Sequence, residues 1–527
     1  MRKTTQKTLA GIMALMAFAP SALNMQAASA EEAGTVTGYV TGDVNSNQEV
    51  DVVDAQLTLN AYVNILTGAD SGLTETQTQA ADINLDGVVS IEDAQLILLY
   101  YVENMIAMHP VTWAELRMDA MSVPAEVPDT DDTLTIVCSA DYDVQQMIEY
   151  FTAANPQYAG KIKCVTVETD GISTYEGLTS YLVSGDDVDL VYAETSLDGD
   201  LVNRFVRPLS DLGFKDDDFA GCYPYTLSLG KNAKGELCGA AHLASPGGFV
   251  YRSDLAKKYL GVSSPEEMQP LVKDWKTFRE TAEKLSKASD GKTAMLASID
   301  DLATAWLNTS HDAWLNGNGT LNENSNLKEC YEYLTEFCKN GYVAKARSWT
   351  DEWYEVGQDD SALGYFYSSW CLEDGAMLYW AEGEKDGASY GLYNITAGPS
   401  AWYWGDSAMY TAKTCNSRTA AHDFINFFTV DEEAISKFAK DTGVFVNNMA
   451  VMEKTETPNP LLGGQSPIAV LHNNAKAIED PAVYVSDEYR LIDMFKDYES
   501  YDAFLKDATK VFSDKYGIPV DDTPVTE

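Results

Sequence analysis

The chain has 527 residues, 45% of them hydrophobic, and its 81 acidic against 36 basic side chains give a formal net charge of -45. Such a field repels nucleic acid and anionic membranes and makes polyanions poor ligands, so neutral or cationic ligands remain. Eight cysteines are too dispersed for a small disulfide scaffold.

The N-terminus carries Arg2, Lys3 and Lys7, an apolar run from Leu9 to Ala19, and then Ala28-Ser29-Ala30. This pattern predicts a secretory signal over residues 1–30, cut before Glu31. The apolar run is too short to span a bilayer, and no later stretch qualifies. No cysteine stands directly after the cut site, where Glu31 and Glu32 follow, so a lipid anchor is not expected and the protein reads as extracellular.

A segment is then written twice. Asp43, Asn45, Asp54, Ala55, Gln56, Leu57, Leu59, Tyr62 and Val63 recur as Asp82, Asn84, Asp93, Ala94, Gln95, Leu96, Leu98, Tyr101 and Val102. Oxygen-bearing side chains at loop positions one, three, five, nine and twelve, with a backbone carbonyl at seven, wrap a hard cation that takes six to eight oxygens. The first copy offers Asp43, Asn45, Asn47, Asp51 and Asp54 with the carbonyl of Glu49; the second offers Asp82, Asn84, Asp86, Ser90 and Asp93 with that of Val88. Gly87 supplies the sharp turn in the second loop, where the first has Gln48. A non-glycine residue at positive φ costs about 1 kcal/mol, so the first site is expected to be weaker or reshaped.

Aspartate at position twelve and a conspicuous helix only after each loop, opened by DAQL, resemble the dockerin module of cellulosome-type complexes. That resemblance implies a small all-α unit over residues 36–108 that folds on two calcium ions and plugs into a cohesin module of a scaffoldin. The cohesin-facing residues it implies are Val52, Val53, Leu59, Asn60, Ile91, Glu92, Leu98 and Leu99. The better-known dockerins carry hydroxyl residues at positions ten and eleven of the loops, where this chain has Val52, Val53, Ile91 and Glu92.

Residues 109–132, with Pro124, Pro128, Glu126, Asp129, Asp131 and Asp132, read as an extended linker. The body over residues 133–516 exceeds what one core usually holds, so two lobes are expected, followed by a tail over 517–527. It opens with strand LTIVCSA from Leu134, a helix over Val144 to Ala154, strand KIKCVTVE from Lys161, a helix over Tyr175 to Ser184 and strand DVDLVYAE from Asp187. This rhythm predicts a parallel α/β sheet. Ligands bind beyond the carboxyl ends of such strands, which points to Asp141, Glu168 and Glu194.

Cys138 and Cys164 fall in two of these strands as buried thiols, and Cys330 and Cys338 stand about 12 Å apart along a helix. Cys222 with Cys238 is the best-placed pair for a bridge.

FTAANPQY, LVSGDDVDLVYA, RFVRPLSDLGF, SPGGFVYRSDLAKKYLG and DWKTFRETAEKLSK, with EDGAMLYWAEGEKDG and YTAKTCNSRTAAHDFINFFTVDEEAISKF downstream, resemble the extracellular solute-binding proteins of ABC sugar importers. The resemblance implies two α/β lobes joined by hinge strands and closing over a ligand, with Val446 to Ala508 packed back onto them.

Sugar rings stack their C–H faces on aromatics while their hydroxyls need polar partners. Trp370, Trp380, Trp402 and Trp404 crowd one segment and are the leading ligand contacts, with Tyr251, Trp306 and Trp314 behind them. No glycosidase motif, G-x-S-x-G elbow or metal-spaced histidine set stands out, which disfavours an enzyme. The reading is a secreted oligosaccharide-binding protein docked on a cellulosome-like scaffold. A polysaccharide-degrading enzyme and a docked structural or adhesion component are the alternatives.

Overall fold

The computed structural model describes residues 39–85, 87–106, 111–120, 123–130, 133–140, 142–167, 174–183, 188–194, 201–309, 312–316, 320–322, 324–373, 376–383, 387–405, 407–479, 486–495 and 499–515. The signal segment, Asp86, Asp141, Glu168 and the 517–527 tail lie outside the described residues.

In the duplicated unit the helices Val52–Leu66 and Ile91–Tyr101 pack side by side, each started by its own loop. Asp51 and Asp54 form a capping box on the first helix, and Ser90 and Asp93 repeat it on the second, so residues of the cation loops also satisfy the helices' free N–H groups. Val44 and Ile83, both at loop position two, are fully buried with Ala61, Ala81 and Ile97. A third helix, Glu75–Ala81, leads into the second loop.

The expected linker is instead a structured joint. Trp113–Ala120 is a helix with two apolar faces. Trp113 and Leu116, three apart, enter the core of the calcium-loop unit, while Ala114 and Met118, four apart, enter a core of the first lobe. The Trp113 ring stacks on Tyr100 with centroids 3.9 Å apart and an interplanar angle of 11°. Gly42 is held at φ 82°, and a Cβ there would come within 2.5 Å of the Trp113 ring. Arg117 Nε donates to the Ile83 carbonyl. On the lobe side the Tyr175 hydroxyl donates to Glu115 Oε1 (3.1 Å), and Arg204 pairs with Asp119 at 3.2 Å. The Pro-containing stretch that follows is pinned too, by a backbone bridge of Asp129 with Ser417 and burial of Val127. Prolines and carboxylates gave this segment a linker's composition, but one eight-residue helix with two faces outweighs them.

The body is two α/β lobes. In the first lobe β1 (Leu134–Cys138) pairs in parallel with β2 (Ile162–Thr166) and β3 (Leu190–Glu194), as their alternation with helices predicted. Among the described residues β4 (Val206–Arg207) and β5 (Gly239–Ala241) join the sheet through β11 (Ser407–Ala412), which returns antiparallel from late in the chain. The second lobe has strand order β10-β6-β9-β7-β8, from β6 (Gly247–Arg252), β7 (Ala294–Ser298), β8 (Val343–Ala346), β9 (Ala362–Ser368) and β10 (Tyr393–Thr396). The chain crosses between lobes at 242–246 and 397–405, which the bridge of Pro246 with Tyr403 ties together, and Leu243 of the first crossing also bridges to Val446, after the helix Glu432–Thr442.

Helices Arg418–Thr429 and Glu432–Thr442 pack on the first lobe, and Ile468–Ala477 packs on β6 of the second. All eight cysteines are free thiols. The expected Cys222–Cys238 bridge is absent because the two side chains are buried in different packing clusters.

Candidate functional sites

The two loops share one backbone path. Ser46 and Leu85 at position four have φ 60° and 61°, and Gln48 and Gly87 at position six have 73° and 81°. Gln48 therefore occupies the left-handed conformation that glycine takes in the second copy. Asp43 Oδ1 accepts from Asn47 N (3.0 Å) and Oδ2 from Gln48 N (2.8 Å); Asp82 Oδ2 accepts from Gly87 N (3.0 Å). Asp54 and Asp93 are fully buried and accept backbone N–H groups from both ends of their loops. Burial raises the pKa of Asp54, its backbone hydrogen bonds oppose that, and the charges of Asp51 and Asp43 add to the rise. Carboxylate, amide and carbonyl oxygens at these loop positions are the donor types a hard cation takes, and a cation there would relieve that repulsion.

The face implied for partner binding is outward. Val52, Val53, Leu59, Ile91, Leu98 and Leu99 are each at least 39% exposed, and Asn60 and Glu92 are exposed beside them. Large apolar side chains held in water this way mark an interaction surface.

Between the lobes, three half-buried tryptophans cluster at the crossings. Trp370 lies 5.1 Å from Trp404 and 6.1 Å from Trp349, ring centre to ring centre, and Trp349 is 5.7 Å from Trp404. Trp370 Nε1 donates to the Trp404 carbonyl (2.8 Å), and Trp404 N donates to the carbonyl of Ser245 (3.1 Å) in the first crossing. Ser245 and Trp349 both sit at positive φ, 51° and 71°, a strain of about 1–3 kcal/mol each that concentrates at binding sites. The Trp349 indole N–H is buried without a partner among the described residues.

A cavity of about 330 Å³ opens nearby, walled by Ser369, Leu372, Glu373, Tyr379 and Tyr390 of the second lobe, by Thr442, Gly443 and Phe445 at the end of a first-lobe helix, and by residues 457–461, 467, 468 and 471 of the segment that follows. Glu373 follows the turn that leaves β9. Burial raises its pKa to about 7, and the charge of Asp143 adds to the rise. Asp143 belongs to the helix Tyr142–Ala154 that follows β1 and is hydrogen-bonded by the Tyr192 hydroxyl. Its side chain is exposed, yet the surrounding protein desolvates it and raises its pKa.

Of the predicted contacts, Trp370 and Trp404 come together in one cluster with Trp349. Glu194 ends β3, exposed and opposite Ser407. Trp380 is half-buried beside Tyr354, with ring centroids 5.3 Å apart. Four expectations are corrected by burial. Trp402 is fully covered, with Gly247 against its ring; Trp306 packs on Trp275 and Tyr333; Trp314 is fully buried; and Tyr251, 1% exposed, stacks on Phe249. None has a face left for a ligand.

Sequence reasoning missed Trp349, Asp143, Tyr192 and Glu373. Asp143 stood two residues from the predicted Asp141, within reach of the strand-end rule. Glu373 carried no local signal.

The family model for bacterial extracellular solute-binding proteins matches residues 146–459, and that for the type I dockerin domain matches 41–100. No curated protein matches the sequence. Among solved structures, an extracellular solute-binding protein of family 1 is similar at TM-score 0.61 and 17% identity, covering 73% of this chain and 99% of that one. The binding protein from B. animalis subsp. lactis Bl-04, solved with beta-1,6-galactobiose, is similar at 0.54 and 18%, covering 74% and 98%. The sugar-binding protein MalE from Xanthomonas citri is similar at 0.56 and 13%, covering 73% and 97%. With two α/β lobes, paired crossings and a duplicated calcium-type loop in front, the chain belongs to the bacterial extracellular solute-binding protein family and carries a type I dockerin domain.

Proposed function

We propose that this protein is a secreted oligosaccharide receptor held on a cohesin-bearing, cellulosome-like scaffold by its dockerin. The observation that carries the sugar reading is the cluster of Trp349, Trp370 and Trp404 at the interlobe crossings, with carboxylates of both lobes nearby. Aromatic faces would take the apolar side of a sugar ring and the carboxylates its hydroxyls, each lobe contributing part of the contact. A ligand bridging both lobes would shift the population toward closure, since it gains contacts only when they meet. Solved relatives whose names record sugars, including beta-1,6-galactobiose and lacto-N-biose complexes, support the ligand class.

Calcium would be held by Asp43, Asn45, Asn47, Asp51 and Asp54 with the Glu49 carbonyl, and by Asp82, Asn84, Asp86, Ser90 and Asp93 with that of Val88, one ion per loop. Bound there, the ions neutralise converging carboxylates and lock the helices that present Val52, Val53, Ile91 and Leu98 to cohesin.

Calorimetry of the calcium-loaded protein against plant and starch oligosaccharides tests the reading, and binding with no product release is the expected result. Released product would favour a scaffold-borne polysaccharide-degrading enzyme instead. Intact folding and cohesin binding without any ligand would make it a structural component.

A further inference from the structure

We propose that the interlobe cavity beside Glu373 selects a sugar carrying a protonated amine over its neutral counterpart, an inference that rests on the sugar reading above. No hydrogen bond from a described residue reaches the Glu373 carboxylate, which stands on the wall of a half-open cavity of about 330 Å³. Its neighbours there are largely apolar or aromatic, among them Leu372, Tyr379, Tyr390 and Phe445. Among the described residues that line it there is no lysine, arginine or histidine. The one charge felt at Glu373 among the described residues is that of Asp143 from the opposite lobe, which has the same sign.

Buried carboxylates are ordinarily paired, because leaving one alone in apolar surroundings costs several kcal/mol. Glu373, on the wall of a cavity with no cation among its described lining residues and with the like charge of Asp143 acting on it from the opposite lobe, leaves the countercharge to the ligand. An ammonium suits the space better than a metal ion. It brings three N–H donors for a few scattered acceptors and is attracted to the ring faces of Tyr379 and Tyr390, whereas calcium demands six or more converging oxygens. The cost of the charge shows in the raised pKa of Glu373, caused by burial and then by Asp143. A ligand ammonium would recover that cost on binding, which is how an unpaired acid becomes a selectivity element.

The test is calorimetry on the full calcium-loaded chain at low ionic strength and pH 6.5. The probes are α- and β-1,4-linked glucosamine disaccharides, the matching glucose disaccharides, and 1,4-diaminobutane. The expected result is at least tenfold tighter binding of an amino disaccharide than of its glucose counterpart. Glu373→Gln should collapse that preference to within about threefold, and Asp143→Asn should reduce it part-way. Both substitutions remove a desolvated charge, so folding should survive, and melting curves check this. Equal affinity for the two disaccharides would overturn the amine inference and leave the sugar reading standing. Binding of the diamine without either sugar would overturn the sugar reading and support the carboxylates' role. No binding of any probe by the folded protein would overturn both.

Discussion

Glu373 makes a stability prediction that needs no ligand. Its carboxyl has a pKa of about 7 in the folded protein against an ordinary 4.5, first from burial and then from Asp143. The folded state therefore holds the proton more tightly than the unfolded one. Below pH 4.5 both states are protonated and the site costs nothing; as pH rises toward 7 the unfolded state ionises first, and stability falls until the folded group has ionised too. A difference of about 2.5 pKa units, at about 1.4 kcal/mol each, sets a cost of about 3 kcal/mol above pH 7. Glu373→Gln keeps the shape and removes the charge, so it should match wild type near pH 4.5 and exceed it by up to about 3 kcal/mol at pH 8. For a lobe of this size that corresponds to roughly 6–12 °C in the body's melting transition. Scanning fluorimetry of both proteins from pH 4.5 to 8.5 reads the difference directly, since background titrations are common to the two. A gap between variant and wild type that does not change with pH would refute the claim that this carboxyl is desolvated in the cleft.

Trp113→Ala should cost about 3–5 kcal/mol through loss of a buried, stacked indole and free the calcium-loop unit from the first lobe. Limited proteolysis around residues 107–123 should accelerate, and unchanged cleavage would contradict a joint built on this helix. Chelating calcium should abolish much of the helical circular dichroism of Val52–Leu66 and Ile91–Tyr101, and Gln48→Gly should raise affinity at the first loop only, read by calcium titration. Trp370→Ala should weaken sugar binding at least tenfold with a small change in melting, whereas Trp402→Ala should lower the melting transition without a comparable selective loss of affinity in the protein that remains folded. The reverse assignment would mean that the cleft has been misread.

What was legible in the sequence followed from patterns that repeat or alternate. The cation loops announced themselves because coordination fixes oxygen donors at set intervals, twice over. The order of β1, β2 and β3 was readable from short β-branched runs separated by amphipathic helices. The joint was hidden because WAELRMDA is eight residues long and its two faces, Trp113 with Leu116 and Ala114 with Met118, answer to partners distant in sequence. Tryptophans divide between cleft and core for reasons composition does not carry: Trp402 is covered because Gly247 lets it approach, while Trp370, in the same aromatic segment, remains half-buried. Asp143 and Glu373 become neighbours only when the lobes are assembled. Cys222 and Cys238 flank one turn-rich stretch yet are buried in separate clusters, a separation that spacing along the chain does not encode.

The most direct test of the account is a glycan-array screen of the full calcium-loaded chain beside its Trp370→Ala variant. Retention of a narrow set of oligosaccharides by the wild type, lost in the variant, is the predicted result. A folded wild-type protein that retains no glycan, or one that retains the same set equally well without Trp370, would contradict a sugar receptor built around the tryptophans between the lobes.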